Sequence, residues 1–368
     1  VSTSVLMAEG CPLVARRSWF CLDVLRTAAR LLLLAMMQPY CPLGERNVLV
    51  DTHWDVMTGG PEAVIQLLLA MHNLCPGRVF ARNDSTPSNR FTLEYPQLLE
   101  VPRRAMGHLR RGDAWIAPEN KRNGMLCEQR TKLGLAGFVY ILSSREGSSI
   151  GRHWLAAGCR LVYHNYWLAD SFYRLPGERM MARPYITPSI VSFCHPYGLI
   201  HRNATKPVVM LDHDADSLYT GLFGAACKKL NCTVVVPKGL RRPQLLELYT
   251  QVTVAVDTCM IGSERLPIEA VLCGAILVAR DCQSVQDQRD FPVPARNLLP
   301  INRNASQQLV DISTLLRGIL SDAHARQREM HSMRELYNEL NESTLRSEAV
   351  CVLKMIDARA RKVANDTH

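Results

Sequence analysis

The sequence predicts an α/β protein of two doubly wound, parallel-sheet domains followed by C-terminal helices. Three observations carry that prediction. Short apolar, β-branched runs alternate with segments of helical period from about residue 47 to residue 300, the pattern of strands buried on both faces and joined by crossover helices. The alternation breaks once, at residues 188–207, where Pro188, Pro196, Gly198 and Pro207 follow no period and read as a linker. Beyond Ala305 the strand signals stop, while helical ones continue to about Val363. At 368 residues, 47% hydrophobic and 21% charged, the chain is long enough for two cores and too apolar to be disordered.

The expected organisation is a leader or helix over residues 1–46, a first domain over 47–200, a second over 206–300 and helices over 301–368. The chain starts with Val, which suggests a processed or truncated start. Leu31–Met37 is apolar, but Asp23, Arg26 and Arg30 precede it closely. The stretch falls short of the roughly 18 apolar residues of a membrane span. An amphipathic helix or leader is expected there; membrane association through a missing or damaged signal-anchor is the alternative.

The first domain opens with a strand at Asn47–Asp51, a glycine loop at Thr58-Gly59-Gly60-Pro61-Glu62 and a helix over Ala63–Leu74, apolar at Val64, Leu67, Leu68 and Met71. Gly59 and Gly60 let backbone N–H groups approach a phosphate or sugar at a helix N-terminus; a tight turn needs the same residues. Further strands are expected at Arg78–Arg82, Asp113–Glu119, Gly137–Ser143 and Arg160–His164, with a polar loop over 83–96 and a helix starting at Leu168–Tyr173. The second domain opens with Pro207–Asp212, a helix over Leu218–Leu230 and a strand at Cys232–Pro237. Lys238-Gly-Leu-Arg-Arg242 comes next, with a helix over Pro243–Gln251. Lys238 and Arg241 stand at a strand's carboxyl end, as candidates to bind a phosphorylated ligand or simply as a solvated basic loop. Asp281–Pro300 reads as loop.

Between them lies the segment that organises the chain. Val254–Val256 is a strand ending on Asp257, Gly262 and Ser263 turn the chain, and Pro267 suits the first turn of a helix over Ile268–Cys273. Gly274 ends that helix, and Ala275–Ala279 is the next strand. Glu264, Arg265 and Glu269 therefore gather at the carboxyl edge of a parallel sheet, where such folds bind ligands. The competing account is a capped helix start, with Arg265 paired to a neighbouring carboxylate.

Gly262, Glu264, Arg265, Pro267, Glu269 and Ala270, followed by Cys273-Gly274, resemble the donor-sugar segment of GT-B-fold glycosyltransferases. The likeness is closer to a group of related proteins whose segment runs Gly-Lys-Asp-Arg-x-Pro-Arg-Glu-Ala-Ala. Thr58–Glu62 is similar to that group's opening motif, and the Pro118-Glu119 strand end, Pro184-Tyr-Ile and Asp290-Phe-Pro-Val-Pro follow its order of elements. Ser263 and Ile268 replace its Lys and second Arg, which removes one or two basic contacts to phosphate. The resemblance implies two Rossmann-like domains with terminal helices packed back on them. It also implies a nucleoside-diphosphate sugar as donor substrate and no separate cofactor. The donor would lie against the second domain, with Arg265 stabilising the leaving phosphate and Glu269 accepting from sugar hydroxyls. Glu264 would do the same or orient Arg265, and Gly59 and Gly60 would face the donor across the cleft. Glu119 is the first choice for a catalytic base, ahead of His53, Asp55 and Glu146. The acceptor, whether glycan, lipid or protein, is not specified. The rival reading is a non-catalytic sugar- or nucleotide-binding protein that keeps the fold.

A net charge of +9 and a pI near 9.0 suit a phosphorylated ligand. Nucleic acid is not expected, because no zinc-finger spacing, RNP signature or basic-aromatic stripe is present. A dehydrogenase lacks its dinucleotide fingerprint. Eleven scattered histidines give no metal spacing, so no metal is expected. Thirteen cysteines form no Cys-x-x-Cys pair; Cys159, Cys227, Cys273 and Cys351 read as small buried hydrophobes, and a full disulfide framework is not expected. Six Asn-x-Ser/Thr sequons, at Asn83, Asn203, Asn231, Asn304, Asn341 and Asn365, tilt the compartment towards the secretory pathway and a Golgi lumen over the cytoplasm. The odd cysteine number argues the other way.

Overall fold

The structure, a computed structural model, describes residues 41–52, 59–82, 89–119, 121–142, 147–172, 180–186, 190, 193–194, 206–212, 217–258, 265–281, 283–300 and 304–365. The readings of residues 1–40, His53, Asp55, Glu146 and Glu264, and most of the linker, lie outside them. Every strand and helix named below lies within the compact unit Pro42–His368. Among the described residues no helix is long and apolar enough to cross a membrane.

Two parallel sheets carry the fold. The first contains β1 (Val48–Val50), β2 (Val79–Arg82), β3 (Arg103–Arg104), β4 (Ala114–Pro118), β5 (Ala136–Ile141), β6 (Arg160–Tyr163) and β7 (Met180–Met181), in the order β3-β2-β1-β4-β5-β6-β7. The second contains β8 (Val208–Leu211), β9 (Thr233–Val235), β10 (Val252–Asp257), β11 (Ile276–Arg280) and β12 (Leu298–Leu299), in the order β12-β11-β10-β8-β9. The strand order reverses between β1 and β4 in one sheet and between β8 and β10 in the other. Those are the two crevices where such sheets accept ligands.

The strands form because their apolar runs are covered on both faces. β4 and β5 are buried along their whole length. Helices α1 (Gly59–Leu74), α2 (Asn89–Glu94), α3 (Lys121–Lys132) and α4 (Gly147–Ala156) flank the first sheet or cross its edge. Helices α5 (Ser217–Leu230), α6 (Arg242–Gln251) and α7 (Arg265–Leu272) belong to the second. After them come α8 (Ala305–Ser321), α9 (Ala323–Glu329), α10 (His331–Glu339) and α11 (Glu342–Asn365). Phe223, Val254, Ile312 and Leu316 fill one side of the second sheet, between it and α5 and α8. Ala255, Ile268, Leu277 and Met333 fill the other, under α7 and α10. The last helix leaves that core and packs on α1, β5 and β7 of the first sheet.

Several expectations need correction. Helix α1 starts at Gly59, not Ala63, so the two glycines form its first turn rather than a loop. Pro61 is tolerated there because the first N–H groups of a helix have no intrahelical acceptor. The expected loop over 83–96 contains α2, and Asp281–Pro300 contains β12. The two-residue strands β3, β7 and β12 are too short to leave a periodic signal. Leu168–Phe172 is a π-helical turn. Gly274 (φ 92°) does end α7: Ala275 N–H donates to Ala270 O at 2.8 Å and Gly274 N–H to Val271 O at 2.9 Å, a Schellman pair.

The cysteines differ most from expectation. Disulfides join Cys127 to Cys159 and Cys194 to Cys273, with Cα atoms 6.1 and 4.4 Å apart. Cys159 and Cys273 are buried as expected, but as bonded pairs, while Cys351 is exposed. The Cys127–Cys159 bridge ties α3 to the start of β6 across β5. Gly137 makes room for it, since a Cβ there would fall inside contact distance of Cys159 Sγ.

His164, at the end of β6, is buried and its Nδ1–H donates to Ile141 O at 3.0 Å. Burial pulls its pKa down to about 4. The unfolded imidazole takes a proton near pH 6.5 and the folded one does not until about pH 4. Stability is therefore fully present above 6.5 and falls as pH drops through that window, by about 3 kcal/mol in all. Asp290, which burial pushes up to about 6, acts in the opposite direction over part of the range. His164→Gln should flatten the acid side of a melting-temperature profile relative to the parent. Parallel profiles from pH 7 to 4 would refute this account.

Candidate functional site

Helix starts and loops that leave the carboxyl ends of the two sheets place five charged side chains together. Glu62 lies in the first turn of α1 after β1, and Glu94 ends α2 after β2. Arg242 begins α6 after β9, and Arg265 begins α7 after β10, with Glu269 one turn further along. The first two come from one sheet and the other three from the other, so the cluster spans the inter-sheet cleft.

Glu269 is its centre. Its side chain is fully buried, which for a lone carboxylate would be prohibitive. Arg242 donates to its two oxygens in a fork, Nη1 to Oε2 at 2.7 Å and Nη2 to Oε1 at 2.8 Å. Arg265 Nε also donates to Oε1. Burial alone would raise the Glu269 pKa, but Arg265 and Arg242 outweigh it and hold the carboxyl below the usual range. The same balance acts on Arg242: burial opposes its charge, yet Glu269 and then Glu94 raise its pKa.

Arg265 carries the bridge to the first sheet. Its Nη2 donates to Glu94 Oε1 at 2.6 Å and its Nη1 pairs with Glu62. Glu94 Oε1 also lies 3.6 Å from Arg242 Nη2. Behind Glu62, the Tyr95 hydroxyl donates to the carboxylate and receives the Gln66 amide at 2.8 Å. Burial raises the Tyr95 pKa well above its ordinary value, so the phenol remains a donor. Three carboxylates thus face two guanidiniums in a nearly closed space. Such geometry stores orientation: each arginine is fixed by forked contacts, not by a single bond.

A second cross-cleft contact lies along the same edge. Asp290 accepts from Tyr166 N–H at 2.9 Å and Trp167 N–H at 2.7 Å, and Asn165 Nδ2 donates to Ser284 Oγ at 3.2 Å. Asp290 belongs to the stretch singled out in the sequence, and its carboxylate caps the start of the turn after β6.

The structure brings Arg265 and Glu269 together, in an arrangement the helix-start account foresaw only as one pairing. Lys238 and Arg241 are exposed after β9, in the turn that leads to Arg242. The Arg241 backbone N–H donates to Gln244 Oε1 at 2.9 Å, which fixes the start of α6. Glu119 stands at the end of β4, beside the first sheet's switch point, with its N–H held by Tyr140 O at 2.9 Å. Gly60 is half-buried in the first turn of α1; a Cβ there would meet Leu142 only at ordinary contact, 3.4 Å. Gly59 begins the helix, and Glu264 lies outside the described residues. Sequence reasoning missed Glu94, Arg242 and the role of Glu62. Glu62 sat inside the Thr-Gly-Gly-Pro-Glu motif and Arg242 inside the basic run, so both carried a signal. Glu94 carried none. Among the described residues no group of three or more His, Cys, Asp or Glu is placed to hold a metal ion.

No protein-family model matches the chain, and no curated protein matches it. Solved structures do. The UDP-glucosyltransferase from Polygonum tinctorium that glucosylates indoxyl superposes with a TM-score of 0.51 at 10% identity, over 85% of this chain and 99% of that one. The α,α-trehalose-phosphate synthase (UDP-forming) from Burkholderia xenovorans, solved with glucose-6-phosphate, gives 0.50 at 11% identity, over 84% and 100%. At such identities the likeness speaks for architecture alone. Two parallel sheets with opposed carboxyl edges, flanking helices and terminal helices make this the GT-B fold of glycosyltransferases.

Proposed function

We propose that the protein is a glycosyltransferase that moves a sugar from a nucleoside-diphosphate donor to an acceptor hydroxyl. The observation that carries the reading is the Arg242–Glu269–Arg265 group at the facing carboxyl edges of the two sheets. Its support comes from the fold and from the donor-segment resemblance. Breaking the bond from the sugar to the diphosphate leaves charge on phosphate oxygens, and the guanidiniums are the groups proposed to stabilise it, Arg265 by exchanging Glu62 or Glu94 for phosphate. Glu269 holds both guanidiniums in place. Lys238, Arg241 and the half-exposed face of Arg242 supply the approach for the diphosphate. Glu119 is the proposed base, deprotonating the acceptor from the first sheet's switch point. Sugar hydroxyls would reach Glu269 only after displacing an arginine, so its positioning role is the stronger one.

Because arginines carry the phosphate charge, transfer is proposed to be independent of divalent metal. A panel of UDP- and GDP-sugars, scored for hydrolysis and transfer in chelator, tests both statements. Turnover of at least one donor in chelator is expected; a strict need for manganese or magnesium would overturn the metal-independent mechanism. Lys238→Ala with Arg241→Ala should raise KM for the donor by about 10-fold or more, the loss of about 1.5–3 kcal/mol of charged hydrogen bonding.

One observation favours the rival reading, a sugar- or nucleotide-binding protein without turnover. Arg265 Nε, Nη1 and Nη2 each already meet a carboxylate. A phosphate must therefore displace Glu62 or Glu94 to engage that residue. Saturable donor binding with no product across the panel would establish the rival.

A further inference from the structure

We propose that Asn231, Asn304 and Asn341 carry N-linked glycans, which places the chain in the lumen of the secretory pathway. The inference is independent of what the cleft does. Each of the three begins an Asn-x-Ser/Thr sequon, and in each both the Asn and the hydroxyl residue, Thr233, Ser306 or Ser343, are exposed.

The local backbone suits the modification. Asn231 adopts the left-handed conformation (φ 54°) just past α5, with Cys232 N–H bonded to Cys227 O at 3.0 Å. Glycine is the usual residue there; asparagine is tolerated and projects its amide outward. Asn304 caps α8: its Oδ1 accepts from Ser306 N–H at 2.9 Å and Gln307 N–H at 3.4 Å. Asn341 does the same before α11, accepting from Ser343 N–H at 2.9 Å, Ser343 Oγ–H at 2.6 Å and Thr344 N–H at 3.3 Å. In these turns the work of capping falls on Oδ1. Glycosylation replaces one hydrogen on Nδ2 and leaves Oδ1 its lone pairs, so both caps survive.

The chemistry needs a lipid-linked diphospho-oligosaccharide. The Nδ2–C1 bond forms, the C1–O bond to phosphate breaks, the amide gives up a proton and the lipid diphosphate departs. That donor and its transferase lie in the same oxidising lumen that forms and keeps disulfides. The Cys127–Cys159 and Cys194–Cys273 bridges are therefore a second, independent pointer to the same compartment.

The position of Asn231 also spares the site. Asn231 precedes β9 at the amino end of the second sheet, opposite the cleft, and β9 is an outer strand. A glycan at its start would shield an unpaired edge against pairing with another chain.

The test is mass spectrometry of the full-length protein from its native source, after peptide N-glycosidase treatment in heavy-oxygen water. Conversion of Asn to heavy-labelled Asp at two or all three positions is expected. Unmodified Asn in two or more of the three peptides would overturn the proposal. Alkylation before reduction supplies a second readout. Cys127, Cys159, Cys194 and Cys273 should resist the reagent until reduced, and free thiols at these four in protein from its native source would also overturn the lumenal placement.

Discussion

Glu269→Gln is expected to lower folding stability by about 3–5 kcal/mol, the range for removing one partner of a buried ion pair. In a chain this size that corresponds to roughly 4–7 °C in melting temperature. The sequence alone suggests a much smaller cost, because a helix-start glutamate contributes only about 0.3–1 kcal/mol through the helix dipole. Burial of Glu269 makes the cost several-fold larger. Glutamine presents an NH2 to a guanidinium that needs an acceptor, and Arg242 and Arg265 are left to share Glu62 and Glu94. Transfer should fall as well, by about 10- to 1000-fold, measured at a temperature where the variant is fully folded. A double-mutant cycle with Arg242→Gln should show a coupling of at least about 0.5 kcal/mol. A stable, fully active Glu269→Gln protein would remove Glu269 from both roles. A destabilised but fully active one would make the group a latch between sheets and nothing more.

The second large effect concerns Cys194–Cys273, which closes a loop with a sequence separation of 79. Loop-closure entropy for that length gives about 4–5 kcal/mol. Replacing both cysteines by alanine should therefore lower the denaturation midpoint more than replacing Cys127 and Cys159, whose separation is 32 and whose expected effect is about 3–4 kcal/mol. Denaturant titrations of the two double variants, oxidised and reduced, check the order. Equal midpoints for oxidised and reduced parent protein would mean the bridges contribute nothing.

The long apolar strands were legible because burial on both faces leaves them no polar alternation. β4, β5, β10 and β11 all fall where the runs of Ala, Val, Ile and Leu predict. What escaped was set by distant partners. β3, β7 and β12 exist because a longer neighbour offers hydrogen bonds at its edge, and two residues hold no period of their own. The disulfides escaped because an apolar cysteine looks the same in sequence whether or not another faces it. Gly137 was a clue only once Cys159 was seen beside it. At the site, Arg265 and Glu269 stood out by their spacing. Glu94 lies 171 positions from the arginine it meets, a pairing no local pattern encodes.

The course of the chain between the two sheets has a mechanical consequence. It passes from the first sheet to the second once between β7 and β8, and returns once between α10, packed on α7, and α11, packed on α1. Ile186, Ile190 and Cys194 already pack into the second sheet's core, and Cys194 is bonded to Cys273 just past α7, so the first passage is short. A body joined at a single point can swivel in any direction; one joined at two points turns only about the line through them. Two connections leave any relative motion of the halves a single angle, the turn about the line through them. Cutting the backbone at either crossing would restore the swivel without separating the pieces.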